Sequence, residues 1–282
     1  MAKDEPFTQA QFAEKLDQLK VQREELLGLI RPLSNAMRNW KPNDEQRNIH
    51  EILVHIGSSE CRTASRLGKK VSGPSEVTLM RYLHQSRENV LARLHQLGEA
   101  QLNEEFADGW QVATVLDQIL AHEQEHISQI QEILTQWRRH LLARLAAERA
   151  GLFATLLGLS EEQLTTAEPV PGWTIKDLLA HIAFWDGFHT NRMQLVVDGR
   201  IQEIIEIGDD ADMDAFNAKL LVEQKEMPLE QAIAMLQKER SGFLQLLKRL
   251  SDLALQSQIR MPWGWRTHMR VWAKWRYKHD AD

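Results

Sequence analysis

Residues 121–130 read AHEQEHISQI. His122 and His126 are four apart, the spacing that puts two side chains on one face of a helix. Neutral imidazole binds Zn, Ni, Cu or Fe, with a Zn–N distance of about 2.0–2.1 Å. The string also matches His-Glu-x-x-His, in which two histidines hold zinc and the glutamate is the general base of a metalloprotease. Glu123 would be that base. Such an enzyme needs a third ligand downstream, and the extended form of the motif fails because His126 is followed by ISQIQEIL. Glu148 fits a third ligand by spacing alone. The protease scaffold also uses a sheet to hold substrate, and strand-like alternation is almost absent from this chain. The protease reading is set aside, which leaves Glu123 and Glu125 expected as solvated residues of a helix.

A third histidine, His55, lies among Ile52, Leu53 and Ile56, on or beside an apolar helical stripe. Ile119, Ile130 and Ile133 suggest that the face carrying His122 and His126 is buried too. Three histidines from two helices can then converge inside a bundle. Three protein ligands leave a metal open to water or substrate, as in catalytic sites; structural zinc is usually closed by four. The competing interpretation is a set of core histidines that only hydrogen-bond.

The elements that must position these residues read as helices. TQAQFAEKLDQLKVQREELLGLIRPL repeats apolar residues at three- and four-residue steps, with Pro32 as a stop. A second helix starts at Asn48, with Glu51 three residues on in a capping-box pattern, and runs to Gly68. KKVSGPSE reads as a loop, EVTLMRYLHQSRENVLARLHQL as a third helix, and the histidine pair lies on a fourth after Asp108-Gly109. The pattern then restarts. At an offset of 126 residues, NIHEILVHIGSSE falls on TIKDLLAHIAFWD, so Ile49, Leu53, His55, Ile56 and Arg66 meet Ile175, Leu179, His181, Ile182 and Arg192. Glu51 meets Asp177, and Glu60 meets Asp186. MPLEQAIAMLQKERSGFLQLLKRL resembles the third helix and GWRTHMRVWAKWRYKHDAD the fourth. The fold expected is all-α: two tandem up-down four-helix bundles, residues 1–138 and 139–282. Trp110 to Arg149 contains neither proline nor glycine, so the last helix of the first copy can run almost directly into the second.

Composition bounds the rest. The 282 residues are 43% hydrophobic and 26% charged, with net charge −6 and no dense Lys/Arg run, which argues against nucleic-acid binding. A stretch of about 18 apolar residues is absent, so no membrane span is expected. One cysteine, Cys61, excludes an internal disulfide, and MAKDEPFTQAQF lacks the apolar core of a signal peptide; a cytoplasmic location is the expectation. Cys61 reads as a packing residue. Glu60 and Asp186 read as helix-surface carboxylates, with orientation of the imidazoles as their other reading. The tryptophans at 265, 272 and 275 are expected to pack the last bundle.

PGWTIKDLLAHIAFWD resembles the second helix of the DinB-like superfamily, and AHEQEHISQI resembles its fourth-helix motif, His-x-x-x-His followed by an apolar turn and often Gln-Ile. The family includes thiol-dependent S-transferases and the amino-terminal half of mycothiol-dependent maleylpyruvate isomerase. The resemblance implies a four-helix bundle holding a divalent metal, nickel or zinc, on His55, His122 and His126. It implies S-transfer from a low-molecular-weight thiol, or hydrolysis, on a small molecule, with a non-catalytic metal-binding or helical scaffold as the alternative. The second copy departs from the pattern. His181 matches the helix-two ligand and His279 the first fourth-helix ligand, whereas the second would fall at 283; His189 and His268 are substitutes without support from spacing. An internal pseudo-dimer of the two copies is a further expectation.

Overall fold

The computed structural model describes residues 6–67, 78–106, 109–204, 207, 210–260 and 266–281. The long elements are helices: α1 (Gln9–Ile30), α3 (Ile49–Arg66), α4 (Leu79–Leu94), α5 (Val112–Leu156), α7 (Ile175–Val197), α8 (Asp210–Gln224), α9 (Leu229–Arg249) and α11 (Met269–Ala281). Short helices α2 (Asn35–Arg38), α6 (Glu161–Thr166) and α10 (Asp252–Leu255) sit in connections. The all-α duplicated architecture is therefore present. Contacts divide the chain into two compact units, Met1–Gln136 and Trp137–Asp282. Helix α5 runs 45 residues without interruption through that division. Among the described residues no helix is long and apolar enough to cross a membrane.

Local chemistry starts the helices where the sequence indicates. Asn48 accepts from the Glu51 amide at 2.8 Å while the Glu51 carboxylate accepts from the Asn48 amide at 3.0 Å. Thr174 and Asp177 form the same reciprocal box at the start of α7. Each satisfies two of the backbone donors that a helix start leaves orphaned. The apolar faces of α1, α4 and α5 bury Phe12, Leu16, Leu19, Val90, Leu94 and Leu116 in the first unit. Leu179, Ile182, Ala183 and Leu236 form a core in the second.

The first bundle does not alternate strictly up and down. The Arg23 guanidinium donates to the Leu83 carbonyl and Arg87 to the Leu19 carbonyl, so α1 and α4 are antiparallel. Lys15 pairs with Asp117 and Gln22 with Gln124, so α1 and α5 are parallel. His55 meets His122, and Arg66 meets Trp110 just before α5, so α3 and α5 are antiparallel. The order is up-down-down-up, with α4 parallel to α3. A tight hairpin turn would have forced alternation; the long connection after α3 leaves room for the chain to return. The KKVSGPSE segment itself lies outside the described residues.

Each long helix of this unit contributes one charge to a buried ring. Arg23 of α1 lies 2.6 Å from Glu60 of α3 and 2.7 Å from Glu123 of α5. Arg87 of α4 lies 2.6 Å from Glu60 and 2.7 Å from Glu123. Ser86 donates to the second Glu60 oxygen at 2.6 Å. All four charged residues are buried, Glu123 to 1% exposure. Burial pulls the Arg23 guanidinium below its ordinary value, and Glu60 and Glu123 oppose that pull. The expectation that Glu60 and Glu123 are solvated carboxylates is thus corrected: both are core counter-ions. The second unit repeats three of the positions, with Arg149 on α5 and Arg240 on α9 each 2.8 Å from Asp186 of α7. Asp186, too, is buried rather than on the surface.

Two further differences concern short or unpatterned segments. Strands β1 (Gln258–Arg260) and β2 (Arg266–His268) form an antiparallel pair in register Gln258↔His268, three residues each and too short for alternation to show. Helix α8 follows a weakly patterned stretch that carries no clear helical expectation. Glu60→Gln leaves Arg23 and Arg87 short of a charge partner in the core, and the first unit should lose about 3–5 kcal/mol. Urea unfolding of the variant against wild type measures this; a loss below about 1 kcal/mol would mean that the ring is dispensable.

Candidate metal centre

His55 sits on α3, half-buried; His122 and His126 sit one turn apart on α5, half-buried and buried. The Nε2 atoms converge. That of His55 lies 3.0 Å from that of His122, and that of His126 lies 3.1 Å from the same atom. One ligand nitrogen from each ring falls within 4.8 Å of the others. Nitrogens sharing one ion at about 2.1 Å stand roughly 3.0–3.4 Å apart in octahedral or tetrahedral arrangements, so the spacing suits a common divalent ion. His122 Nε2 carries either one proton or one lone pair and can make a single linear hydrogen bond, whereas it faces two nitrogens. A shared cation satisfies all three.

A carboxamide relay fixes one tautomer. Gln129 donates through its amide nitrogen to Glu125 Oε1 at 2.9 Å, which turns its oxygen toward His126 Nδ1, also at 2.9 Å. Nδ1 therefore carries the proton and Nε2 keeps its lone pair, the form a metal ligand needs. Sequence reasoning did not single out Gln129, although it forms the Gln-Ile pair noted after the histidines. Glu125 is exposed, as expected, but it has this positioning contact.

The ring of charges sets the direction of the ligands. Glu123 directly follows His122, and successive helix residues are about 100° apart. With Glu123 held between Arg23 and Arg87, His122 and His126 turn toward α3 and His55. Glu123 therefore does not face the histidine cluster as a protease base would. Burial, followed by the His126 ring and by Arg47 and Arg62, lowers the His55 pKa below its usual value. Burial and the two neighbouring imidazoles do the same for His122. Both are thus held in the neutral, ligating form at neutral pH.

A cavity of about 380 Å³ opens beside His122. Ser59, Thr63 and Arg66 of α3 and Trp110, Gln118 and Glu125 form part of its wall. Cys61 is buried, and burial pushes its thiol up, so it is a packing residue rather than a nucleophile.

In the second unit His181 lies between the rings of Trp173 and Trp185, at centroid distances of 5.2 and 6.2 Å. The His279 side chain, like that of Trp275 and all of Trp265, lies outside the described residues. His189 is buried against Trp272 at 4.5 Å, and Trp272 is a core residue at 1% exposure. Among the described residues no second group of three metal-capable side chains converges. Burial, with Arg276 nearby, lowers the His181 pKa to about 4. A depressed value means that the unfolded chain takes up the proton first as pH falls. The contribution of neutral His181 is complete above about pH 6.5 and is lost as pH falls toward 4, to a limit of roughly 3 kcal/mol. His181→Gln should flatten the acid limb of a Tm-against-pH curve over that window; an unchanged limb would place the sensitivity elsewhere.

The sequence model described as the DinB superfamily matches residues 18–130 and again 144–279. No curated protein matches the chain, and no solved structure matches it.

Proposed function

The chain belongs to the DinB superfamily, matched over most of its length in two tandem copies, and from that premise we propose that its first unit is a divalent-metal enzyme acting on a small molecule. His55, His122 and His126 would hold the ion, zinc or nickel, through their Nε2 atoms. The observation that carries the reading is the convergence of those three nitrogens at 3.0–3.1 Å beside an accessible cavity.

When bound, such an ion supplies Lewis acidity and lowers the pKa of a coordinated water or thiol. The chain's own residues do the rest. Gln129 holds the proton on His126 Nδ1, and Glu125 holds Gln129. The charge ring keeps α5 at the rotation that presents both its histidines. The cavity between α3 and α5 gives a substrate room beside His122. S-transfer from a low-molecular-weight thiol, or hydrolysis, are the two reactions that fit this donor set and the family. The second unit, where described, lacks the triad and serves as helical scaffold in this reading.

Metal content of the purified chain tests it. About one divalent ion per chain is expected, lost in His122→Ala. Gln129→Leu, which removes the orienting contact and leaves all three imidazoles, should weaken the ion by about 10- to 100-fold in a competition with a chelating dye. A wild-type chain that takes up neither zinc nor nickel would overturn the proposal.

A further inference from the structure

The cavity beside His122 has a second end, and its chemistry differs from the first. Arg66 is the last residue of α3, eleven residues after His55, or roughly 16 Å along the helix axis. Its guanidinium carbon stands 5.0 Å from the centroid of the Trp110 ring, stacked in the cavity wall. Stacking on an aromatic face fixes a guanidinium without using its N–H donors. Among the described residues Arg66 forms no ion pair, so its fork of donors is available to something that enters the cavity. Ser59 and Thr63 lie on α3 between the two ends, and Val115, Gln118 and Ile119 line the facing wall of α5.

The acidic groups on the wall do not compete for Arg66. Glu60 is committed to Arg23 and Arg87, and Glu125 accepts from Gln129 at the histidine end. Arg47 and Arg62 also act on the charge of His55, opposed by Glu125, but neither lines this cavity, and Arg47 lines a separate one.

We propose that the substrate is an elongated small molecule with a terminal carboxylate, its reacting end at His122 and its carboxylate on Arg66. Bidentate pairing of guanidinium with carboxylate gives direction as well as affinity, so Arg66 sets which end of the molecule reaches the histidines. Trp110 is the positioning residue that holds Arg66 in place. This rests on the metal-site reading above.

The test uses the full chain loaded with zinc and two probes that differ only at one end, 6-mercaptohexanoate and 6-mercaptohexanol. Zinc per chain is measured first, and binding of each probe by calorimetry second. The expected result is an acid that binds about tenfold tighter than the alcohol, a preference abolished by Arg66→Gln with zinc content and alcohol affinity unchanged. Trp110→Leu should reduce the preference in part. Arg66 is exposed at a helix end, so the variant is expected to fold, and unchanged far-ultraviolet dichroism checks that. Equal affinities for acid and alcohol, or no binding of the acid, would overturn the proposal while leaving the metal site intact. So would a preference that survives Arg66→Gln, because it would place the anion on Arg47 or Arg62. A chain that takes up no zinc would instead remove the premise, and both readings would fall together.

Discussion

Two arginines and two glutamates, one from each long helix of the first unit, are tied together out of contact with water. A buried charge is tolerated only when paired and hydrogen-bonded, and the penalty for a misplaced partner runs to several kcal/mol. The ring therefore admits few arrangements of four helices. Sliding α4 by one turn against α1 would separate Arg87 from the Leu19 carbonyl as well as from Glu60. Rotating α5 would strand Glu123. Apolar packing alone tolerates such shifts, because one leucine stripe resembles another. The polar ring supplies register, and the histidine cluster inherits it: His55 and Glu60 share α3, and His122 and Glu123 are adjacent on α5.

Much of this is legible in the sequence alone. The three histidines could be brought together from spacing and apolar neighbours, and both capping boxes could be read from residue type. The repeat was visible at 126 residues because His55 and His181 stand on matching stripes. What escaped was whatever depends on a partner distant in sequence. A glutamate on an amphipathic helix looks solvated unless its arginine is known to lie across the bundle. The signal was nevertheless present: Arg23 and Arg149, like Glu60 and Asp186, are 126 apart, and a repeat that preserves both signs of charge implies that the charges meet. The direction of α4 was hidden for another reason, since a connection long enough to cross the bundle does not dictate whether the next helix returns or continues. Gln129 was hidden because its role is to hold an atom of His126, and no periodicity marks that.

The two units set the matched histidine in different surroundings. In the first, the position of His55 opens onto two further imidazoles. In the second, His181 packs against Trp173 and Trp185 at the edge of a cavity of about 730 Å³, and an adjacent face of α7 carries Phe184 and Phe188 in contact with Phe216. Aromatic rings, Trp185 buried and the others half-buried, thus stand near the matched histidine. The buried carboxylate held by two arginines recurs in both units, Glu60 in the first and Asp186 in the second.

That Glu123 anchors the bundle also has a consequence for how such chains are recognised. Two independent requirements act on neighbouring positions of α5: a pair of imidazoles one turn apart, and a carboxylate beside the first of them to reach the guanidinium groups of α1 and α4. Written as letters, the two requirements together spell the zinc-protease signature, with the glutamate serving the core instead of the histidines. Helical bundles built in this way will recur as false positives in any search for that string. The distinction lies in where the glutamate points: this carboxylate lies between two core arginines and is turned away from the histidine cluster.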